Sequence, residues 1–129
     1  MSIKEIKINL FCKTLEELME DLSKLYPYDA TLLMCLTMYK SFSSLYDKEE
    51  IVKQVTTIIK PYADKILQKE ESFFLHEAHE DFKDDAFILN EINKIRKIWI
   101  DPSTSNETKE CIWKYMISFV KIGKSLKLC

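Results

Sequence analysis

The sequence predicts an all-α fold, a single-domain bundle of five or six helices closed by a C-terminal helical hairpin. Three observations carry this. The 129 residues include one Gly and three Pro, too few tight-turn residues for a chain of antiparallel strands joined by short hairpins. Apolar residues recur at helical spacing in two neighbouring runs, Ile88, Ile92, Ile95, Trp99 and then Ile112, Tyr115, Met116, Phe119, Val120, so each run forms one stripe along a helix. Between them, Asp101-Pro102 followed by Ser103, Thr104 and Ser105 supplies a stop for the first helix and caps for the second. The two stripes are expected to bury each other.

Composition narrows the class further. Hydrophobic residues make up 47% and charged residues 31%, the range of an ordinary folded domain rather than a disordered one. A chain this long buries about two-thirds of its unfolded surface as one unit. The formal net charge is −2 and only one of the 19 basic residues is an arginine, Arg96. Bidentate recognition of phosphate or guanine favours arginine, so nucleic-acid readout is not the expected task. Cys12, Cys35, Cys111 and Cys129 form no CxxC pair and stand at no zinc-finger spacing from a histidine. The first three lie in or beside apolar runs and are expected to be small buried thiols of a reducing compartment. The opening MSIKEIKINLF carries charges through its apolar run, unlike a signal peptide. No uncharged stretch approaches the roughly 18–20 residues of a membrane span. A soluble, intracellular chain without membrane contact is the expectation.

In chain order, residues 1–69 read as an N-terminal helical half. Ile6, Ile8 and Leu10 alternate as in a strand, yet Ile3, Ile6, Leu10 and Phe11 also fit a helix, so residues 1–13 read as helix or extended arm. Thr14 with Glu17 has capping-box spacing and is expected to open a helix whose stripe is Leu15, Leu18, Met19, Leu22 and Leu25, ending before Pro27. Asp29 caps the next, with Leu32, Leu33, Leu36, Tyr39 and Phe42 as its inward set. Met34, Cys35 and Met38 make that helix apolar nearly all round, as in a central buried element. Ser41, Ser43 and Ser44 loosen its end. Asp47 with Glu50 begins a third helix bearing Ile51, Val55, Ile58 and Ile59; Pro61 forces a kink or restart before Tyr62, Ile66 and Leu67. Residues 70–87 form an acidic connector, 88–123 the hairpin and 124–129 a tail.

Three segments, LYPYDATLL, PYADKILQKEESFFL and INKIRKIWIDPSTSNETKECIWKYM, resemble a group of uncharacterised helical proteins of nucleocytoplasmic large DNA viruses. The residues carrying the likeness are Tyr26, Pro27 and Asp29; Glu71, Phe73 and Phe74; Ile98 and Trp99; and Ile112, Trp113, Lys114 and Tyr115. It spans residues 15–123, and Ile-Trp-Lys-Tyr is its most specific part. This chain departs from the group's pattern after Tyr115, where Met116 and Ile117 replace a common Leu-Gln. The resemblance implies a viral origin, a helical fold, and a place in the host cytoplasm or the virion. It implies no reaction.

The residues themselves point away from catalysis. His76 and His79 in HEAHE stand at i and i+3 beside Glu77, Glu80 and Asp81. They offer a metal-binding alternative, but the segment is not HExxH and no distant histidine completes it. A solvated acidic helix is the expected reading, with no metal and no cofactor. No serine or cysteine stands in a nucleophile elbow, and one glycine builds no phosphate-cradling loop. Lys121, Lys124 and Lys127 complement a helix C-terminus; a salt-sensitive nucleic-acid contact through them is the alternative. The aromatics Phe73, Phe74, Phe82, Phe87, Trp99 and Trp113 exceed what so small a core readily holds. The expected function is therefore non-enzymatic binding of another protein through Phe73, Phe74, Trp99, Trp113 and Tyr115, since Trp and Tyr dominate interface hot spots. Packing of Trp113 on Trp99 in the core competes with that role, and exposed aromatic faces also make a symmetric homodimer possible.

Overall fold

The computed structural model describes residues 2–42, 47–72 and 76–129, with the side chains of Thr31, Cys35, Met38, Ser41, Phe42, Ala78, His79, Phe87, Ile88 and Glu91 excepted. The expectations for Cys35, Ser43, Ser44, Phe73, Phe74 and the Phe42, Phe87, Ile88 and His79 side chains thus lie outside what is described. The described chain is all-α: helices α1 (Ile3–Leu25), α2 (Ala30–Phe42), α3 (Lys48–Ile59), α4 (Ala63–Leu67), α5 (Ala78–Asp81), α6 (Ala86–Ile100) and α7 (Asn106–Ser125). No strand occurs among the described residues. Contacts group the chain into two units, Met1–Pro61 with Tyr115–Cys129, and Tyr62–Lys114.

In the first unit α1 is one continuous helix. Ser2, not Thr14, is its cap, its side chain accepting from the Glu5 amide at 3.1 Å. Thr14 sits mid-helix and donates its hydroxyl back to the Leu10 carbonyl at 2.8 Å, a local bond that a helix tolerates. No Pro or Gly interrupts Ile3–Leu25, so the capping-box pattern had nothing to terminate. Ile8, Phe11 and Cys12 are the buried residues of α1, and the Phe11 ring lies 4.8 Å from that of Phe119 on α7. The Tyr39 hydroxyl of α2 donates to the Cys12 carbonyl at 3.1 Å. Lys48, at the start of α3, reaches Asn9 at 3.3 Å.

The outer helices bury narrower faces than periodicity suggested. On α2, Leu32 and Leu36 are buried but Leu33 and Met34 are exposed, so this helix is not the central element; α1 is. On α3 the buried line is Val52, Thr56 and Ile59 rather than Ile51, Val55 and Ile58. Thr56 escaped notice because it is polar. Its hydroxyl bonds to the Val52 carbonyl at 2.7 Å, which leaves its methyl to pack. Asp29 and Asp47 do cap α2 and α3: Asp29 accepts from Leu32 at 3.0 Å, and Asp47 from Glu49 at 3.0 Å and Glu50 at 3.3 Å.

Pro61 lies in a 3-10 turn, Lys60–Tyr62, after which the chain restarts as α4. The 101–105 loop carries out both tasks assigned to it. Thr104 donates to the Ile98 carbonyl at 2.6 Å, closing α6, and Ser105 accepts from the Thr108 amide at 3.1 Å, opening α7. Asp101 accepts from the Ser103 amide and hydroxyl at 2.8 and 2.7 Å, which holds its carboxyl below the usual range.

Two helix ends show what glycine scarcity costs. Lys69 and Lys127 adopt positive φ, 55° and 61°, where glycine is the usual residue. At Lys127 the amide bonds to the Lys124 carbonyl at 3.0 Å and the Leu128 amide to the Gly123 carbonyl at 2.8 Å, the paired bonds of a Schellman motif. Lys69 and Glu70 repeat it on Ile66 and Lys65 at 3.1 and 2.9 Å. The turn at Lys127 folds the tail back so that Cys129 rests over Gly123. A methyl added at Gly123 meets Cys129 Sγ at 2.6 Å and Thr56 Cγ2 at 3.1 Å. The chain's one glycine is therefore a notch for its tail. Gly123→Ala is expected to lower stability by about 1–3 kcal/mol through overpacking and to speed thiol labelling of Cys129. Urea unfolding in a Cys129→Ala background should show a smaller penalty.

Candidate functional site

Of the five residues singled out for partner binding, Trp99, Trp113 and Tyr115 are described. Trp99 and Trp113 are 4% and 3% exposed, with rings 5.2 Å apart at 82°, edge to face. Lys109 Nζ sits 5.6 Å over the Trp99 ring. Trp99 of α6 and Trp113 of α7 meet here, and both indoles are core rather than surface anchors. Of the two roles the sequence left open for Trp113, packing on Trp99 is the one adopted. Tyr115 is half-buried, its hydroxyl donating to the Asp21 carboxylate on α1. Phe73 and Phe74 lie outside the described residues. Phe82 is half-buried, with its ring 6.4 Å from that of Tyr62.

The carboxylates of the HEAHE segment are committed locally. Glu77 pairs with Lys65, Glu80 with Lys83 at 2.8 Å, and Asp81 accepts from the Tyr62 hydroxyl. Among the described residues no cluster of three or more metal-ligating side chains occurs. Cys12 is buried, but Cys111 is exposed, contrary to expectation. The buried line of α7 runs through Ile112, Trp113, Met116, Phe119 and Val120, and residue 111 falls outside that arc. Burial pushes the Cys12 thiol up, with Tyr39 and Lys48 opposing the shift, so this sulfur is no activated nucleophile.

A different feature stands out in the first unit. Ile3, Ile6 and Leu10 are 72%, 52% and 52% exposed. At 3.6 residues per turn they fall within about 60° of arc, roughly opposite the Ile8, Phe11 and Cys12 face that holds the core. The first three turns of α1 are thus apolar on two opposed faces, and one faces solvent. Its signal was present in the sequence, but grouping Ile3, Ile6 and Leu10 with Phe11 as one stripe hid it: Phe11 lies about 100° from Leu10. A second exposed apolar group, Leu25, Tyr28 and Met34, sits about the α1–α2 connection, with Tyr28 97% exposed.

Compared with family models, curated proteins and solved structures, the chain matches none. No described helix is long and apolar enough to cross a membrane.

Two predictions follow from the buried groups. Trp113→Ala removes one ring of the indole pair and is expected to cost about 3–5 kcal/mol, read by urea unfolding, with loss of the near-UV circular dichroism of Trp99. Burial first, then the neighbouring Cys12, raises the Tyr39 phenol above its ordinary value; burial and Asp81 do the same for Tyr62. A raised folded-state value favours the neutral phenol. That stabilisation is complete below the ordinary phenol pKa of about 10 and is lost as pH rises through the folded value. Absorbance titration at alkaline pH should show a late ionising phase, reduced in Tyr39→Phe and coincident with loss of helicity.

Proposed function

We propose that this protein is a non-enzymatic protein-binding module, and that its docking element is the outward face of α1 rather than the aromatic set. The observation that supports this is the line of Ile3, Ile6 and Leu10, held at i, i+3 and i+7 on a helix whose opposite face is anchored in the core. That spacing is how a helix presents anchors to a partner's groove. A helix pinned along its other side loses little conformational freedom on binding, which favours association. In the viral setting that the Ile112–Tyr115 segment resembles, the partner is a virion component or a host factor.

The metal-binding alternative is weakened by the local pairing of Glu77, Glu80 and Asp81. For the nucleic-acid alternative, Lys121, Lys124 and Lys127 are all exposed, but three lysines provide only a salt-sensitive, non-specific contact.

The double variant Ile6→Gln, Leu10→Gln replaces exposed side chains with good helix formers, so folding should be unchanged by circular dichroism. Quantitative affinity capture from expressing cells should then lose the proteins that the wild-type chain retains, with enrichment falling on the order of ten-fold or more. Retention of the same set by the variant would place the binding surface elsewhere.

A further inference from the structure

The charge pattern around the α1 stripe identifies the chemistry of its partner, an inference that rests on the protein-binding reading above. Lys7 borders the stripe on one side and Lys13 follows Leu10 at its C-terminal end. Lys4 turns away and pairs with Glu49 at 2.9 Å. No acidic residue shares this outward face until Glu17, two turns beyond Leu10. The apolar stripe therefore has a basic rim and then, further along the same line, an acidic stop.

Three occupants fit an apolar helix face, and this pattern separates them. A second copy fits poorly. The antiparallel pairing that overlaps the three apolar residues sets Ile3 opposite Leu10 and brings the two Lys7 side chains together at the two-fold axis. Sliding until Lys7 meets Glu17 parts the apolar residues from one another. An anionic bilayer fits poorly as well. It is flat and extended, so it would meet Glu17 and Asp21 along with the lysines. A partner helix crossing α1 at an angle covers only the first three turns and escapes the acidic stop.

We propose that the Ile3, Ile6 and Leu10 face, rimmed by Lys7 and Lys13, docks an amphipathic helix of another protein whose apolar stripe is flanked by carboxylates. Electrostatic complementarity then selects the partner while apolar burial holds it.

Two synthetic amphipathic helical peptides test this, with one leucine stripe in common and flanks of glutamate in one and lysine in the other. Fluorescence anisotropy against the full chain should show the glutamate peptide binding on the order of ten-fold tighter, the preference shrinking as salt rises. Lys7→Glu with Lys13→Glu should reverse the preference, and Ile6→Gln with Leu10→Gln should abolish binding of both. Equal affinity for the two peptides, or binding of neither, overturns the acidic-partner inference; loss of captured proteins in the same Gln variant would still uphold the protein-binding reading. Stripe-dependent binding to vesicles containing phosphatidylserine, without peptide binding, overturns both. A sedimentation-detected dimer lost in the Gln variant overturns the inference in favour of self-association.

Discussion

The packing of Phe11 against Phe119 is the contact on which the first unit depends. Phe11 is fully buried and Phe119 nearly so, with rings 4.8 Å apart, and these residues lie near opposite ends of the sequence. Two large aromatics meeting in a dry interior contribute both buried area and favourable ring geometry. Around this contact α1 gathers the other helices: Tyr39 of α2 bonds to Cys12, Lys48 of α3 bonds to Asn9, and Tyr115 of α7 reaches Asp21. One long helix, buried along one side, positions everything else in that unit.

That constraint also bears on the docking face proposed for α1. A helix in the middle of a core normally spends its apolar residues inward. Here Ile8, Phe11 and Cys12 suffice for the core, and Ile3, Ile6 and Leu10 remain outside. Scattered exposed hydrophobics mean little, but these three are aligned on one face of a helix that is anchored behind them, which is why the proposed docking element is placed there. Three aromatic residues that looked available for this role are used differently. Trp99 and Trp113 fill the second unit's interior, and Tyr115 ties α7 to α1.

Scarcity of glycine shows at two helix ends. Two Schellman turns are completed by Lys69 and Lys127 at positive φ, conformations that carry a steric cost for any residue with a Cβ. The glycine that is present is placed where a side chain would collide, under Cys129. Packing, not backbone freedom, explains its position.

The sequence by itself determined the helical class, the α6–α7 break, the caps at Asp29 and Asp47, and the restart at Pro61. Each of these is a local matter, settled by spacing within a few turns or by one side chain bonding to a nearby amide. Only tertiary structure decided which apolar residues go inside. Periodicity identifies a stripe but not which of two opposed stripes finds a neighbour: the packing of Trp113 on Trp99 stood in the sequence beside a surface role, and the tertiary contact decided between them. Thr14 shows the same limit in reverse: its capping pattern was real as chemistry, but a helix that nothing interrupts and that packing supports on both sides of residue 14 runs through it. Burial depends on partners far away in the chain, and spacing carries no information about them.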